Sequence, residues 1–329
     1  MAIQVKELTK KFRIFKRDAG LKGAAKSFFK RNYHDFYALS DVNLEIGKNE
    51  IVGILGENGA GKTTLIKLLV GLLHPTSGQV EINGFIPWER KNEFLKNISI
   101  VMGQKNQLWW DIPASESFLL NQKIYGLDES QFKSTLNELV DLLDVREKLN
   151  VQVRRLSLGE RMKMEIIAAL LHRPGIVLLD EPTIGLDVIA QSKIRDFVKY
   201  YNQQFGATFL LTSHYMNDIQ EMCKRVIVIH KGKRLYDGNF DTLVNRINPT
   251  RKLNFEFTHL PDSEKLEKLK NEYDFNLDLH YLSAELKDDE MNRLLTRLFS
   301  MDTPRTFSLE ELPVEQTMKS FFANPDQFV

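Results

Sequence analysis

Residues 56–63 read Gly56-Glu57-Asn58-Gly59-Ala60-Gly61-Lys62-Thr63. An apolar run, Ile51-Val52-Gly53-Ile54-Leu55, precedes them, and Thr64-Leu65-Ile66-Lys67-Leu68-Leu69 follows with helical spacing. Strand, glycine-rich turn and helix start in this order make a phosphate-binding loop. Glycines let the backbone curl until its N–H groups converge on a polyphosphate. Lys62 is placed to reach the β and γ phosphates, and the Thr63 hydroxyl to ligate Mg²⁺. The dipole of the helix adds positive potential at the same point. The loop predicts a bound nucleotide without saying which nucleotide machine this is.

Bulk properties narrow the class. A chain of 329 residues with 43% hydrophobic and 27% charged content reads as an ordinary globular protein of two domains. A net charge of +1 gives no global field for nucleic acid, and no nucleic-acid partner is expected. One cysteine, Cys223, excludes an intrachain disulfide framework and reads as a core residue. No apolar stretch approaches the roughly 18–20 residues of a membrane span. Gln4, Lys6, Glu7 and Lys10 interrupt any apolar signal segment, so a cytosolic location is expected.

Strands are expected at 3–8, 37–46 and 78–83, and helical spacing runs from about 114 to 150 and again over 163–171. Three continuous apolar runs, Ile176–Leu179, Thr208–Thr212 and Val226–Ile229, read as buried strands. Strands alternating with helices predict an α/β fold, a mostly parallel sheet covered on both faces. Residues 10–31 are basic, nine Lys or Arg against Asp18, and include a helix-like segment over 21–29. This reads as a basic insertion, 13–36, either solvated or close to anionic lipid. Arg246-Ile247-Asn248-Pro249-Thr250 is turn-rich, so a boundary is expected near 245, with a small α/β domain over 246–329 that shows no catalytic constellation.

More chemistry lies downstream of the loop. Ile176-Val177-Leu178-Leu179-Asp180-Glu181 delivers two acids from a strand end, Asp180 for the Mg²⁺ shell and Glu181 to polarise a water. Ser157 suits a helix N-cap, and Gly159 permits close approach to a ligand. His214 follows the strand Thr208–Thr212, and Gln104 ends the strand-like Ile98–Met102.

The ordered set Gly56–Thr63, Gln104, Leu156-Ser157-Leu158-Gly159-Glu160, Asp180-Glu181, Gly185-Leu186-Asp187 and His214 resembles the nucleotide-binding subunit of an ABC transporter over about residues 3–240. In that family's terms these are the Walker A, Q-loop, signature, Walker B, D-loop and H-loop. Gly103 to Pro113, Leu156 to Met162 and Glu181 to Asp187 are similar to the bacterial drug-export branch with separate ABC-2-type permeases. The resemblance implies a P-loop NTPase ABC cassette over 1–245, with a helical subdomain at about 105–172. It implies ATP and Mg²⁺ as ligands, with Gly56, Glu57, Asn58, Gly59, Ala60, Gly61, Lys62, Thr63 and Thr64 around the phosphates. Thr63, Gln104 and Asp180 would serve the metal, Glu181 would be general base, and His214 would steady the γ-phosphate. Ser157 and Gly159 would contact ATP held by a second copy or a paired subunit. Phe12 fits an adenine-stacking position, in competition with Tyr33 and Tyr37. Partners would be integral membrane permease subunits at the inner face of the cell membrane, met near Trp109 and Trp110, unless these two are buried aromatics of the helical subdomain. Leu158 and Glu160 stand where the family most often has Gly and Gln; an acid at 160 would weaken phosphate affinity unless it points away. The rival is a soluble ABC-type ATPase acting on nucleic acid or ribosomes, against which stand the single phosphate loop and the roughly 120 residues between it and Asp180. An ordinary P-loop kinase leaves Leu156–Glu160 and His214 unexplained.

Overall fold

The computed structural model describes residues 1–15, 33–103, 105–213, 215–259, 263–311 and 313–325, in two units, Met1–Asn239 and Phe240–Val329. The helix-like segment expected at 21–29 lies outside the described residues. The described residues before and after are strands: β1 (Ile3–Phe15) and β2 (Tyr33–Ile46) pair antiparallel as far as Phe15↔Tyr33. The expected strands at 3–8 and 37–46 are thus the inner parts of a longer ribbon. It is joined after β3 (Ile51–Leu55) and α1 (Lys62–Leu69) by β4 (Ser77–Ile82), which gives a three-stranded antiparallel sheet ordered β2-β1-β4.

The second sheet follows from the apolar runs. After α2 (Asn92–Asn97) come β5 (Ile98–Met102), the helices α3 (Ala114–Tyr125), α4 (Glu129–Leu143) and α5 (Leu158–Leu170), and β6 (Ile176–Asp180). Then follow α6 (Val188–Phe205), β7 (Thr208–Thr212), α7 (Met216–Met222), β8 (Arg225–His230) and β9 (Lys233–Asn239). The order is β5-β6-β7-β3-β8-β9, parallel except for the antiparallel edge strand β9. Strands Ile176–Leu179, Phe209–Leu211 and Val226–Ile229 are buried along their whole length because both sheet faces are covered. The helical stretch expected over 114–150 breaks in two. Gly126 caps α3 at φ 64°, a left-handed angle that suits glycine, and the Asp128 carboxylate accepts from the amides of Ser130 and Gln131 to start α4.

The second unit opens with α8 (Phe240–Ile247), so the division falls after Asn239, six residues before the expected 245. It continues with β10 (Thr250–Phe257), α9 (Ser263–Lys270), β11 (Phe275–Asp278), β12 (Tyr281–Lys287), α10 (Asp288–Met301), β13 (Pro304–Glu311) and α11 (Val314–Ala323), which packs on α8. The βαββαβ run forms an antiparallel sheet ordered β11-β12-β10-β13, a split βαβ arrangement. Leu253, Phe255 and Phe257 alternate inward on β10 and Leu282, Ala284 and Leu286 on β12, against Met291, Leu294 and Leu298 of α10.

Tyr201 is one of the largest fully buried side chains, packed among Phe197, Phe205 and Phe209. Its hydroxyl has no hydrogen-bond partner among the described residues, and burial pushes its pKa up to about 12. An unsatisfied buried hydroxyl costs about 1–3 kcal/mol. Tyr201→Phe should therefore keep or raise the urea midpoint, whereas Tyr201→Ala should cost about 3–5 kcal/mol by opening a cavity. A midpoint clearly lowered in Tyr201→Phe would show that the hydroxyl is satisfied in solution.

Candidate nucleotide site

The site is built where parallel strands end together. Register pairs Met102 with Asp180 between β5 and β6, Asp180 with Thr212 between β6 and β7, and Ile54 with Thr212 between β3 and β7. The loop leaving β3, the acids ending β6 and the turns leaving β5 and β7 therefore share one edge of the sheet, which is where open α/β sheets bind ligands.

The loop itself is sterically specified. Gly59 and Gly61 have φ of 81° and 115°. A Cβ on Gly61 would lie 2.5 Å from the Ala38 carbonyl oxygen and 2.8 Å from a Leu39 methyl, and one on Gly56 2.3 Å from the Ile229 oxygen. Neighbouring strands thus press the loop from two sides, and only glycine fits at 56 and 61. Lys62 is buried, and its ammonium donates to the carbonyls of Gly56 at 2.6 Å and Glu57 at 3.0 Å. Burial lowers its pKa, while Glu181, Asp180 and Glu57 oppose the shift. The lysine head is thereby held over the hollow of its own loop.

The strand-end acids are fixed by Thr212. Its hydroxyl donates to Asp180 Oδ1 at 2.7 Å, and its Oγ1 and carbonyl oxygen both accept from the Glu181 amide, at 3.0 and 3.1 Å. Glu181 takes φ 57°, a left-handed conformation of the kind that costs about 1–3 kcal/mol for a non-glycine residue and collects at functional sites. Gly103 donates to the Asp180 carbonyl at 2.8 Å, and a Cβ there would lie 2.2 Å from the Glu181 oxygen. Thr63, Lys67, Met102, Gly103, Lys105, Asp180 and Glu181 line a cleft of about 140 Å³. Hydroxyl and carboxylate oxygens with room for water suit Mg²⁺, which keeps several waters and draws few ligands from the protein. Among the described residues no three His, Cys, Asp or Glu side chains converge on a metal position, so such an ion would rest on Thr63, Asp180 and phosphate oxygens.

Gln104 and His214 lie outside the described residues, although Gly103 and Ser213 beside them are in place. Ser157 is the N-cap of α5: its Oγ accepts from the Glu160 amide at 3.2 Å, and its own amide donates to Glu160 Oε2 at 2.8 Å. Lys148 bridges Glu160 Oε1 at 3.0 Å, and the Ser157 amide is the first cause holding the Glu160 pKa below the usual carboxylate range. The acid at 160 is committed to the helix cap, which answers the concern its position raises. Ser157 and Leu158 are exposed, and neither Ser157 nor Gly159 lines the cleft. Phe12 sits on β1 opposite Phe36, with the Lys10 ammonium 5.0 Å from its ring. Tyr33 and Tyr37 alternate onto the other face of the ribbon, whereas Phe36, not weighed in the sequence reading, shares the face of Phe12.

A buried polar hub also escapes the sequence reading. Asp218 on α7 is 1% exposed. Thr183 Oγ1 and Ser213 Oγ donate to its Oδ2, the latter at 2.9 Å, and Arg195 Nη1 of α6 donates to Oδ1 at 2.9 Å. It ties the turn after Glu181 to the turn before 214. Four residues separate Ser213 from Asp218 and 34 separate Thr183 from it, so nothing local in the sequence announces the hub.

With this geometry in place, comparison with known proteins is informative. Residues 39–184 match the ABC transporter family model. The ABC transporter ATP-binding protein NatA of Bacillus subtilis (strain 168) is 36% identical over 206 residues, 63% of this chain and 83% of NatA. This chain belongs to the ABC transporter ATP-binding proteins. The bacitracin transport ATP-binding protein BcrA of Bacillus licheniformis is 34% identical over 209 residues, 64% of this chain and 67% of BcrA. A dimeric, post-hydrolysis structure of the ATP-binding cassette MJ0796 with ADP and Pi superposes with a TM-score of 0.60 at 25% identity, covering 72% of this chain and 98% of the cassette. As an ABC ATPase, the chain binds and hydrolyses ATP.

In this ATPase the Asp218 hub should be worth more than any surface pair. Asp218→Asn removes one partner of a buried ion pair and should destabilise by about 3–5 kcal/mol. Glu221→Gln, which removes the half-exposed second acceptor of Arg195 (3.0 Å), should cost less than about 1 kcal/mol. Equal urea midpoints for the two variants would show the hub to be energetically idle.

Proposed function

We propose that the chain powers export of a substrate through a separate ABC-2-type membrane permease, working as a homodimer or with a paired ATPase subunit on the cytosolic side of the membrane. One observation carries the dimer: the cleft holds Thr63 of the phosphate loop and the strand-end acids of one chain, while exposed Ser157 and Gly159, buried close to Ala190, lie outside it at the start of α5. The N-terminus of α5, with its N–H groups and positive dipole end, is suited to the γ-phosphate of ATP held by a second copy. Val188 and Ile189, 75% and 83% exposed at the start of α6, offer apolar surface that such a dimer would cover.

In this reading the amides of Gly56 to Thr64 and the Lys62 ammonium bind the phosphates. Lys62 exchanges its two loop carbonyls for phosphate oxygens, so little lysine movement is required. Thr63, Asp180 and Gln104 would hold Mg²⁺, which would supply positive charge against the phosphates. Glu181 accepts a proton from the water whose oxygen attacks the γ-phosphorus. The bond to the β-γ bridging oxygen breaks, leaving ADP and Pi, while His214 steadies the transferred group. Phe12 stacks on adenine. The permease docks on the helical subdomain, where Trp109, Trp110, Leu119, Leu120 and Ile124 are 42–64% exposed. Export rather than import rests on the similarity of residues 103–113 to the drug-export branch.

Two measurements test this reading. Glu181→Gln should lower kcat by about a hundredfold or more while ATP binding and ATP-driven dimerisation persist; normal turnover would remove Glu181 from the mechanism. Ser157→Arg should leave ATP binding intact but abolish ATP-driven closure of two cassettes on each other and turnover. Full turnover in Ser157→Arg would place the second half of the site elsewhere.

A further inference from the structure

The second unit carries an edge that is built for pairing. Among the described residues β13 pairs with β10 alone, so its other side presents backbone N–H and C=O groups with no strand partner there. Edge strands of soluble proteins are usually kept short or protected by charge, proline or bulges. This strand spans eight residues, and its protection is confined to its ends, Pro304-Arg305 and Glu310-Glu311. Its centre is apolar: Phe307 and Leu309 are 51% and 43% exposed.

These two residues are not on the solvent face of the sheet. Register sets Phe307 opposite Phe255 and Leu309 opposite Leu253, both buried in the core. An aromatic row runs outward from that core: Phe255 meets Phe299 of α10 edge-on at 5.7 Å, and Phe299 meets Phe307 at 5.3 Å. Phe299 is itself 46% exposed. The helix-covered core therefore continues to the edge of the sheet and stops in solvent.

We propose that this edge pairs with the same edge of a second copy of the chain, joining two four-stranded sheets into one of eight strands. The strand is self-complementary in one register. A twofold axis normal to the sheet keeps each residue on its own face, so opposed residue numbers must sum to an even number. A pivot on Ser308 sets Phe307 opposite Leu309 twice, Thr306 opposite Glu310, and the Arg305 end of each strand beside the Glu310-Glu311 end of the other. A pivot on Phe307 would set Arg305 opposite Leu309, and one on Leu309 would set Phe307 opposite Glu311. Only the Ser308 register matches apolar with apolar and basic end with acidic end. A second copy is also the partner that a family of dimeric cassettes supplies. The pairing needs no nucleotide, so it goes beyond the ATP-dependent dimer proposed above: the second unit keeps two chains together while the cassettes open and close.

At the pivot the two Ser308 Cα atoms would lie about 4.5–5.5 Å apart, within the range a disulfide spans. Ser308 is on the polar face, its hydroxyl 3.2 Å from the Asn254 amide, and a thiol there would be accessible. The native Cys223 is buried and its pKa is pushed far up by that burial, so it gives an unreactive background. The full-length chain without nucleotide should sediment as a dimer, and Ser308→Cys should form a reducible cross-linked dimer under mild oxidant while the wild type does not. Leu309→Lys, a substitution at a partly exposed position that should leave the fold and ATP binding intact, should weaken the dimer at least about tenfold and suppress the cross-link. A wild-type chain that is monomeric without nucleotide, a Ser308→Cys cross-link that requires ATP, or one indifferent to Leu309→Lys would each overturn the proposal. Ser157→Arg separates the two dimers: it should leave this association intact, whatever it does to ATP-driven closure.

Discussion

The alignment of four strand ends is the constraint on which the nucleotide site depends. Because β5, β6, β7 and β3 run parallel and in register, Met102, Asp180, Thr212 and Ile54 stand side by side. Each following segment then starts from the same edge. A one-residue slip of β6 would turn Asp180 to the opposite face and separate it from Thr212. Burial on both faces makes such a slip costly, since Ile176 to Leu179 are all about 1% exposed or less. Core packing thus sets the catalytic geometry directly.

Within that frame the two acids are restrained differently. The Thr212 hydroxyl holds the Asp180 side chain, and two acceptors of the same threonine hold the Glu181 backbone amide. Glu181 takes a left-handed φ, and the Gly103 backbone passes so close to its carbonyl that no Cβ would fit between them.

Much of this was legible in the sequence because it is local. The strand, the glycine loop and the helix start are contiguous, and Asp180-Glu181 closes an unmistakable apolar run. The capping role of Ser157 was legible for the same reason: Ser157 and Glu160 are three apart. What was not legible lies between distant segments. Thr212 read as the last residue of a strand; nothing in Thr208–Thr212 says that its hydroxyl faces Asp180. Asp218 read as an unremarkable helix residue, and its partners lie on three other segments. The boundary after Asn239 was missed because the turn-rich 246–250 stretch is a stronger local signal than the start of α8, whose partner α11 is about 70 residues away in sequence.

The helix α5 links what the sequence separates. Its N-terminus presents Ser157, and two turns later Glu165, 3% exposed, accepts from the amides of Gln107 and Leu108. Arg161 lies over the Trp110 ring at 5.5 Å. Burial raises the Glu165 pKa while those two amides favour its charged form, so the carboxylate is held by the segment it holds. Removing it would leave two amides short of a partner, at about 1–3 kcal/mol each. The segment carrying the exposed tryptophans and the helix start carrying Ser157 are therefore one mechanical piece. On the function proposed above, a partner docked on the tryptophans would meet the same helix whose start carries Ser157, in a cassette with no membrane-spanning helix among its described residues.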